Sequence, residues 1–343
     1  MTLTELLFTK GNFMFRKHFL KILLGFLFSA ILIFLTLRQI NFKESFELIK
    51  SANYYILIPG ILIYAFTYVL RSIRYYFMLL PIKKTPLFKN FPYTILGFFM
   101  NNVVPLRLGE IIRAKVTGER LGVSRSSVFG TIVIERLIDV IIFVLFFFVI
   151  MIVLPFPDFI KKSFYVSGML FGACLLVLFL ISKNESKTLA IIAKIPMPVK
   201  LKTLITGFLD KFADGLIILR KPKVLTATFM LSVLIWVTES IFLVLTAYSC
   251  GIELSVIGGI FVVIIIGIGA IIPTAPGYIG AFEFMGVTAL SALAIDKNAA
   301  FACIAIYHFL QLMTIFALGF GSIIKKKISF SDLFKFEKIE DRK

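Results

Sequence analysis

The stretch Asn101–Arg120 reads NNVVPLRLGEIIRAKVTGER, and it follows FPYTILGFFM at Phe91–Met100. The apolar arm Phe91–Val104 has 14 residues. As a helix it is about 21 Å long, short of the ~30 Å hydrocarbon core of a bilayer. Pro105 ends it, because proline lacks a backbone N–H and disfavours helix at the residue before it. Arg107, Glu110 and Arg113 then fall within seven residues. Irregular backbone and charge at membrane depth are tolerated only where protein or a polar cavity surrounds them. The stretch therefore reads as a re-entrant helical hairpin whose second arm opens near Gly109. The alternative is a cytoplasmic loop with a short amphipathic helix lying on lipid headgroups.

The whole chain supports a membrane setting. Of its 343 residues 59% are hydrophobic and 39 are Phe, with mean hydropathy +0.98, whereas a soluble domain is about half apolar. Six runs approach or exceed the ~20 residues that cross a bilayer: Phe19–Leu37, Tyr54–Leu80, Leu137–Leu154, Tyr165–Ile181, Val224–Tyr248 and Phe301–Ile324. The expected fold is all-α, a polytopic membrane protein with six spanning helices and two re-entrant helical hairpins. Residues 10–37 also have the basic start of a signal peptide. No small-residue cleavage site follows at LRQINFK, so an uncleaved first helix is expected.

Net charge +18 raises the question of nucleic acid. With a cytoplasmic N-terminus and one crossing per run, 30 of the 37 Lys and Arg lie on the cytoplasmic side, in residues 1–21, 71–125, 183–223 and 325–343. Six lie on the other side, and Arg136 falls inside a helix. This is the positive-inside pattern. It implies a multi-pass protein of the cytoplasmic membrane with both termini cytoplasmic and no nucleic-acid partner. Attraction to anionic lipid is a secondary consequence. Residues 183–223 read as a cytoplasmic amphipathic segment, residues 325–343 as a cytoplasmic tail, and 1–343 as one transmembrane domain.

A second break resembles the first. IIPTAPGYIGAF (271–282) aligns with VVPLRLGEIIRA (103–114), and Pro273–Gly277 repeats the spacing of Pro105–Gly109. The charge pattern puts the two breaks on opposite faces, as in an inverted repeat. Broken helices at corresponding positions of two halves mark the substrate site of many transporters. The helix-break residues are Pro105, Gly109, Pro273, Pro276, Gly277 and Gly280. A helix N-terminus carries partial positive charge, and with Arg107 and Arg113 beside it this suits a phosphate.

Charged residues inside apolar runs are the other candidates. VIERLIDVIIF (Val133–Phe143) holds Glu135, Arg136 and Asp139. Glu135 and Asp139 share a helix face, and Arg136 and Asp139 are spaced to pair. A charge near the bilayer centre costs about 2.5–3.5 kcal/mol, so three need a reason. One is mutual pairing, or pairing with Arg107 and Arg113; the other is a substrate-binding or gating network. Glu239 lies mid-run in Val224–Tyr248, and Glu283 follows the second break. His308 and Gln311 share a face of the last run, either as a helix–helix hydrogen bond or as a proton relay. Gly258, Gly259, Gly267 and Gly269 suit close helix packing. Cys174, Cys250 and Cys303 lack metal-type spacing and read as packing residues. No metal site, cofactor loop or nucleophile–base pair is apparent, so no cofactor and no enzymatic activity are expected.

PLRLGEIIRAKVTGERLG, ERLIDV and PTAPGYIGAFEF together resemble the flippase-like transmembrane region of lysylphosphatidylglycerol synthases, over about residues 15–325. The resemblance implies re-entrant helices and movement of a charged lipid between leaflets. It carries over Arg107, Gly109, Glu110 and Arg113, then Glu135, Arg136 and Asp139, then Pro273, Pro276, Gly277, Gly280 and Glu283. Where many members have two glycines, this chain has Gly277–Tyr278, which bears on the tightness of that turn. Only 19 residues follow Ile324, so synthase activity is not expected. The expected function is a lipid translocase with Arg107, Glu110, Arg113, Glu135, Arg136, Asp139, Glu239, Glu283 and His308 around a phosphate-bearing lipid or lipid-linked glycan carrier. Candidate partners are that lipid, a second copy of the chain, and a lipid-modifying or glycosyl-transferring enzyme. The rival functions are an intramembrane enzyme acting on a lipid phosphate and a non-transporting partner of a glycosyl- or aminoacyltransferase.

Overall fold

The computed structural model describes residues 12–104, 108–154, 221–272 and 274–326, with side chains from 23 to 324. Regular structure among these residues is helical throughout: α1 (Asn12–Leu37), α2 (Phe42–Ser51), α3 (Tyr54–Leu79), α4 (Phe91–Val103), α5 (Gly109–Leu121), α6 (Arg125–Val153), α7 (Pro222–Ser249), α8 (Val256–Gly269), α9 (Ala281–Ala292) and α10 (Lys297–Lys326). Pro105, Arg107, Pro273, the run Tyr165–Ile181, nearly all of 183–223 and the tail from residue 327 lie outside the described residues.

Four helices, α3, α6, α7 and α10, are long and apolar enough to cross a membrane. They coincide with four of the six expected spans. The first expected run forms α1, which bends by 85° into α2 and makes a fifth candidate. Local chemistry sets the boundaries. Asn41 caps α2 by accepting from the N–H groups of Lys43 and Glu44. Ser124 and Ser255 cap α6 and α8 in the same way, each satisfying an orphan donor of a first turn.

The described residues divide into two compact units. The first draws on Met1–Ala65, Gly97–Gly109 and Glu239–Phe320, the second on Phe66–Leu96, Glu110–Thr238 and Gly321–Lys343. Aromatic stacking dominates the first unit. Phe242 sits between Tyr64 and Tyr307, with ring centroids 5.1 and 4.9 Å away. In the second, Met78, Ile134, Ile138 and Ile142 form a buried cluster against which Phe229, Val233 and Trp236 pack.

Both breaks are present as pairs of short helices, α4 with α5 and α8 with α9. In the first unit α8 packs on α9, and α9 on α1. Gly258 lies against Leu293 and Gly269 against Met285, so α8 and α9 run antiparallel as a hairpin. Close packing at Gly258, Gly259 and Gly269 matches the small-residue expectation, since an added Cβ would come within 2.9, 2.7 and 2.4 Å of a neighbour. Locally the two breaks differ. α5 starts at Gly109 itself, whereas Gly277 lies in a 3-10 turn, Pro276–Tyr278, and α9 starts only at Ala281. Positive φ at Gly277 (72°), Tyr278 (59°) and Gly280 (93°) keeps this second stretch out of the α conformation. Tyr278 occupies the left-handed region despite its side chain, at a cost of roughly 1–2 kcal/mol. The turn expected of two glycines is therefore built with one.

Gly109 is fixed by contact. A Cβ there would meet the Gly97 carbonyl oxygen at 2.3 Å and the Asn101 nitrogen at 2.5 Å. Both are backbone atoms of α4 and cannot rotate away. Gly109→Ala should cost about 1–3 kcal/mol by overpacking and lower the unfolding midpoint in detergent. Gly321→Ala, in α10 with nothing within 4 Å of its Cβ, should be neutral or raise the midpoint, since alanine favours helix over glycine. Equal midpoints for the two variants would refute the close approach of α5 to α4.

Candidate functional site

The second unit holds a buried ion network centred on α6. Glu135 and Asp139 lie one turn apart on this helix and both face Arg74 of α3. Arg74 donates from Nη2 to Glu135 Oε1 at 2.8 Å and from Nη1 to Asp139 Oδ1 at 2.6 Å. Its Nη1 also donates to Ser232 Oγ of α7 at 2.7 Å. Arg113 of α5 reaches the other oxygen of Glu135, Nη2 to Oε2 at 2.9 Å. The Arg113 guanidinium lies 3.7 Å from the centroid of the Tyr75 ring, and the Tyr75 hydroxyl contacts Thr117 Oγ1 at 3.0 Å. The Trp236 indole N–H donates to Asp139 Oδ1 at 3.1 Å. Four helices, α3, α5, α6 and α7, are joined through two carboxylates.

Arg136 forms the outer edge of this network. It hydrogen-bonds Glu135, sits 3.4 Å from Asp139 Oδ2, and lies 3.7 Å from Glu110 Oε1. Its side chain is 29% exposed and that of Glu110 23%, against 0% for Arg74. Arg71 lies 5.4 Å over the Trp236 ring. Among the described residues, the guanidinium groups of Arg71, Arg74, Arg113 and Arg136 lie at this network with the carboxylates of Glu110, Glu135 and Asp139. A buried pair must offset the desolvation of both ions, and removing one partner leaves an uncompensated charge. That is why the carboxylates are multiply bonded, and why the looser Arg136–Glu110 contact falls at the accessible edge.

A second polar cluster occupies the first unit. His308 of α10 places Nδ1 2.5 Å from Glu283 Oε1 and Nε2 2.8 Å from the Gly277 carbonyl oxygen. Glu283 Oε2 accepts from the Gly280 N–H at 2.6 Å, capping α9. The Phe282 ring stacks on the imidazole, with centroids 4.0 Å apart and planes within 10°. Gly280 is needed here twice. Its φ is 93°, and a Cβ would lie 2.6 Å from the Ser29 carbonyl oxygen of α1. Ser29 Oγ also accepts from the Ala275 N–H at 2.8 Å.

The expected site residues therefore fall into two groups. Glu110, Arg113, Glu135, Arg136 and Asp139 meet in the second unit, and Gly277, Gly280, Glu283 and His308 meet in the first. Mutual pairing within ERLID and pairing to Arg113 are both present. Arg113 is buried and committed to Glu135 and Tyr75, so it does not stand open as half of a phosphate clamp. Glu239 is buried on α7 in the first unit, where its carbonyl accepts from the Tyr307 hydroxyl at 3.4 Å. Cys250 and Cys303 are free thiols, partly and fully buried, and Cys174 lies outside the described residues. Among the described residues no group of three or more His, Cys, Asp and Glu is placed to hold a metal.

Arg74, the hub of the network, was not among the expected residues. Arg71 and Arg74 fall within the expected run Tyr54–Leu80, yet the charge pattern counts them among the cytoplasmic charges of residues 71–125, which hides them as a buried pairing site. They lie inside α3, which runs to Leu79. The spacing in LRSIRYYF, two arginines three apart within an apolar run, was the available signal.

These helices and charges define a multi-pass helical membrane protein. The lysylphosphatidylglycerol synthase TM region model matches residues 22–319, and the chain belongs to that family. A UPF0104 membrane protein of Methanothermobacter thermautotrophicus is 26% identical over 263 residues, covering 69% of this chain and 77% of the relative. A UPF0104 membrane protein of Methanocaldococcus jannaschii is 26% identical over 222 residues, covering 64% of this chain and 91% of the relative.

Truncating Arg74 removes the fully buried partner that Glu135 and Asp139 share, leaving Glu135 to Arg113 and Arg136 and Asp139 to Trp236 and Arg136, and should cost about 3 kcal/mol or more. Arg136→Ala should cost clearly less, because its edge position leaves water access to its partners. Detergent unfolding midpoints of Arg74→Ala and Arg136→Ala provide the test. The reverse order would contradict a network centred on Arg74.

Proposed function

We propose that the chain is a lipid translocase, moving a phosphate-bearing lipid or lipid-linked glycan carrier between the leaflets of the cytoplasmic membrane. The observation that carries this reading is the partly exposed edge of the network, where Arg136, 29% exposed, bonds the buried Glu135 and stands 3.7 Å from Glu110 Oε1. An anionic headgroup that takes the place of Glu110 there meets a guanidinium held in position by the buried carboxylates Glu135 and Asp139. Arginine binds phosphate through fixed paired donors. Arg107 is retained as a proposed phosphate contact from its place after Pro105. The acyl or polyprenyl tail stays in lipid while the headgroup moves along protein, which removes the main cost of crossing. Family membership supports the reading, as do two short-helix pairs of the kind that build transporter sites.

On this reading the chain is one flippase-like domain of six spans, and its two hairpins enter the bilayer from opposite faces as an inverted repeat. Both termini and residues 183–223 face the cytoplasm. The proposed partners are the lipid itself, a second copy of the chain, and an enzyme that modifies the lipid or transfers a glycan to it. Labelling of a single cysteine at residue 190 from outside intact cells would overturn the orientation; labelling only after permeabilisation is expected.

In proteoliposomes carrying a headgroup-labelled anionic phospholipid, Arg136→Lys and Arg107→Lys should slow leaflet exchange about tenfold or more. Each loses one charge-assisted hydrogen bond, about 1.5–3 kcal/mol. Lys50→Arg, on the surface of α2 beside Glu47, should match the unmodified protein. Full activity in both arginine variants would remove the phosphate contact. Chemical conversion of the lipid by the purified protein would replace translocation with an enzymatic function.

A further inference from the structure

We infer that Glu283 and His308 form a proton-binding site, and that the bound proton holds the Pro276–Gly280 turn closed. The inference follows from counting hydrogens. The Gly277 carbonyl oxygen can only accept, so His308 Nε2, 2.8 Å away, carries a hydrogen. Nδ1 lies 2.5 Å from Glu283 Oε1, a separation that requires a proton between the two atoms. The pair is either an imidazolium with a carboxylate or a neutral imidazole with a carboxylic acid. Both forms hold the same single proton. The N-terminus of α9 favours negative charge at its cap, and Glu283 Oε2 already accepts from Gly280 N–H there.

Removing that proton cannot leave the site as it is. Neutral imidazole donates from one nitrogen only. If Nε2 keeps its hydrogen, the Nδ1 lone pair faces a carboxylate. If Nδ1 keeps it, the Nε2 lone pair faces the Gly277 carbonyl. One of the two bonds becomes a repulsive contact in either tautomer. The turn lacks the conformational preference to stay closed by itself, because Gly277, Tyr278 and Gly280 all hold positive φ. Contacts from outside the turn hold it, among them the His308 contact to Gly277, the Ser29 contact to Ala275 and the Glu283 contact to Gly280 N–H. Loss of the proton removes the first.

Among the described residues, the elements of this unit other than α2 carry few charged groups. Between Leu23 and Leu37 α1 carries no ionisable group, α8 carries none, and α9 carries only Glu283. The part of α4 in this unit, Gly97–Val103, carries none. Besides His308, α10 brings Lys297, Cys303 and Tyr307, α7 brings Glu239 and Tyr248, α3 brings Tyr54, Tyr55 and Tyr64, and the turn brings Tyr278; the Tyr307 hydroxyl donates to the Glu239 carbonyl oxygen. The Phe282 ring covers one face of the imidazole, so the proton is held in a partly dry setting. A carboxylate and an imidazole that share a proton across a strained turn make a two-state element biased by pH. Applied to lipid movement, which rests on the translocase reading, the site makes the proton a coupling ion for opening of the second hairpin.

Hydrogen exchange tests the inference without any transport assay. The full chain is placed in phospholipid nanodiscs, and exchange of the peptide spanning residues 274–285 is followed by mass spectrometry from pH 5 to 9, corrected for intrinsic rates. Linkage to one proton gives up to about a tenfold rise in turn opening per pH unit, over the interval between the pH at which the open site loses its proton and the higher pH at which the closed site does, with a plateau above it. His308→Gln and Glu283→Gln should abolish that dependence while peptides of α3 and α6 keep their protection. A wild-type turn whose protection is independent of pH across the range overturns the inference, whether or not the variants fold. So does an unchanged pH profile in both variants. A pH-dependent turn in a protein that moves no lipid would count against translocation and for the proton site. Lipid movement with a pH-independent turn would do the opposite.

Discussion

The bond pair from Arg74 to Glu135 and Asp139 constrains the second unit more than any other contact. Ionised groups inside an apolar bundle are tolerated only as mutual partners. Glu135 and Asp139 therefore dictate where α3 must present an arginine. The Trp236 and Ser232 contacts then fix the face of α7, and the Arg113 contact fixes α5. The apolar cluster of Met78, Ile134, Ile138 and Ile142 packs along the same helices. It contributes burial, but apolar contacts alone would permit sliding by a turn. The ion network does not, since a one-turn shift separates every pair. Charge thus sets register here and apolar packing supplies adhesion.

The first unit uses a different device. Its α8–α9 hairpin has one charged residue among the described ones, Glu283, and its shape depends on backbone rather than charge: three positive φ values, a missing Cβ at Gly280 against Ser29, and glycines of α8 against neighbouring side chains. A single side chain from α10, His308, closes the turn.

Much of this was legible in the sequence, and the failures have physical causes. Long apolar runs gave three spans to within a few residues and a fourth, Leu137–Leu154, whose helix starts twelve residues earlier at Arg125, because helix length and hydropathy are local properties but the polar start of a helix escapes a hydropathy window. The two breaks were visible because proline and glycine act locally too. The i, i+4 carboxylates of ERLID were legible as sharing a face. Their partner was not, because Arg74 is 61 and 65 residues away and no periodicity encodes a contact between helices. Its charge also resembled the positive-inside signal of a loop. Arg113 carried the right charge for a phosphate, yet its burial against Glu135 depends on the same long-range packing. The Glu283–His308 contact spans 25 residues and two elements, and each residue alone gave only a polar group in an apolar run. At Tyr278 the sequence left the tightness of the turn open, and the structure holds this residue in the left-handed region, φ 59°, without a second glycine.

Reconstitution of the purified protein into vesicles with an anionic phospholipid labelled on its headgroup, followed by quenching from outside and by mass of the recovered lipid, bears most directly on what the chain does. Protein-dependent loss of the protected inner-leaflet fraction, with lipid mass unchanged, is the expected result. A protected fraction equal to that of empty vesicles, or a change in lipid mass, would contradict translocation.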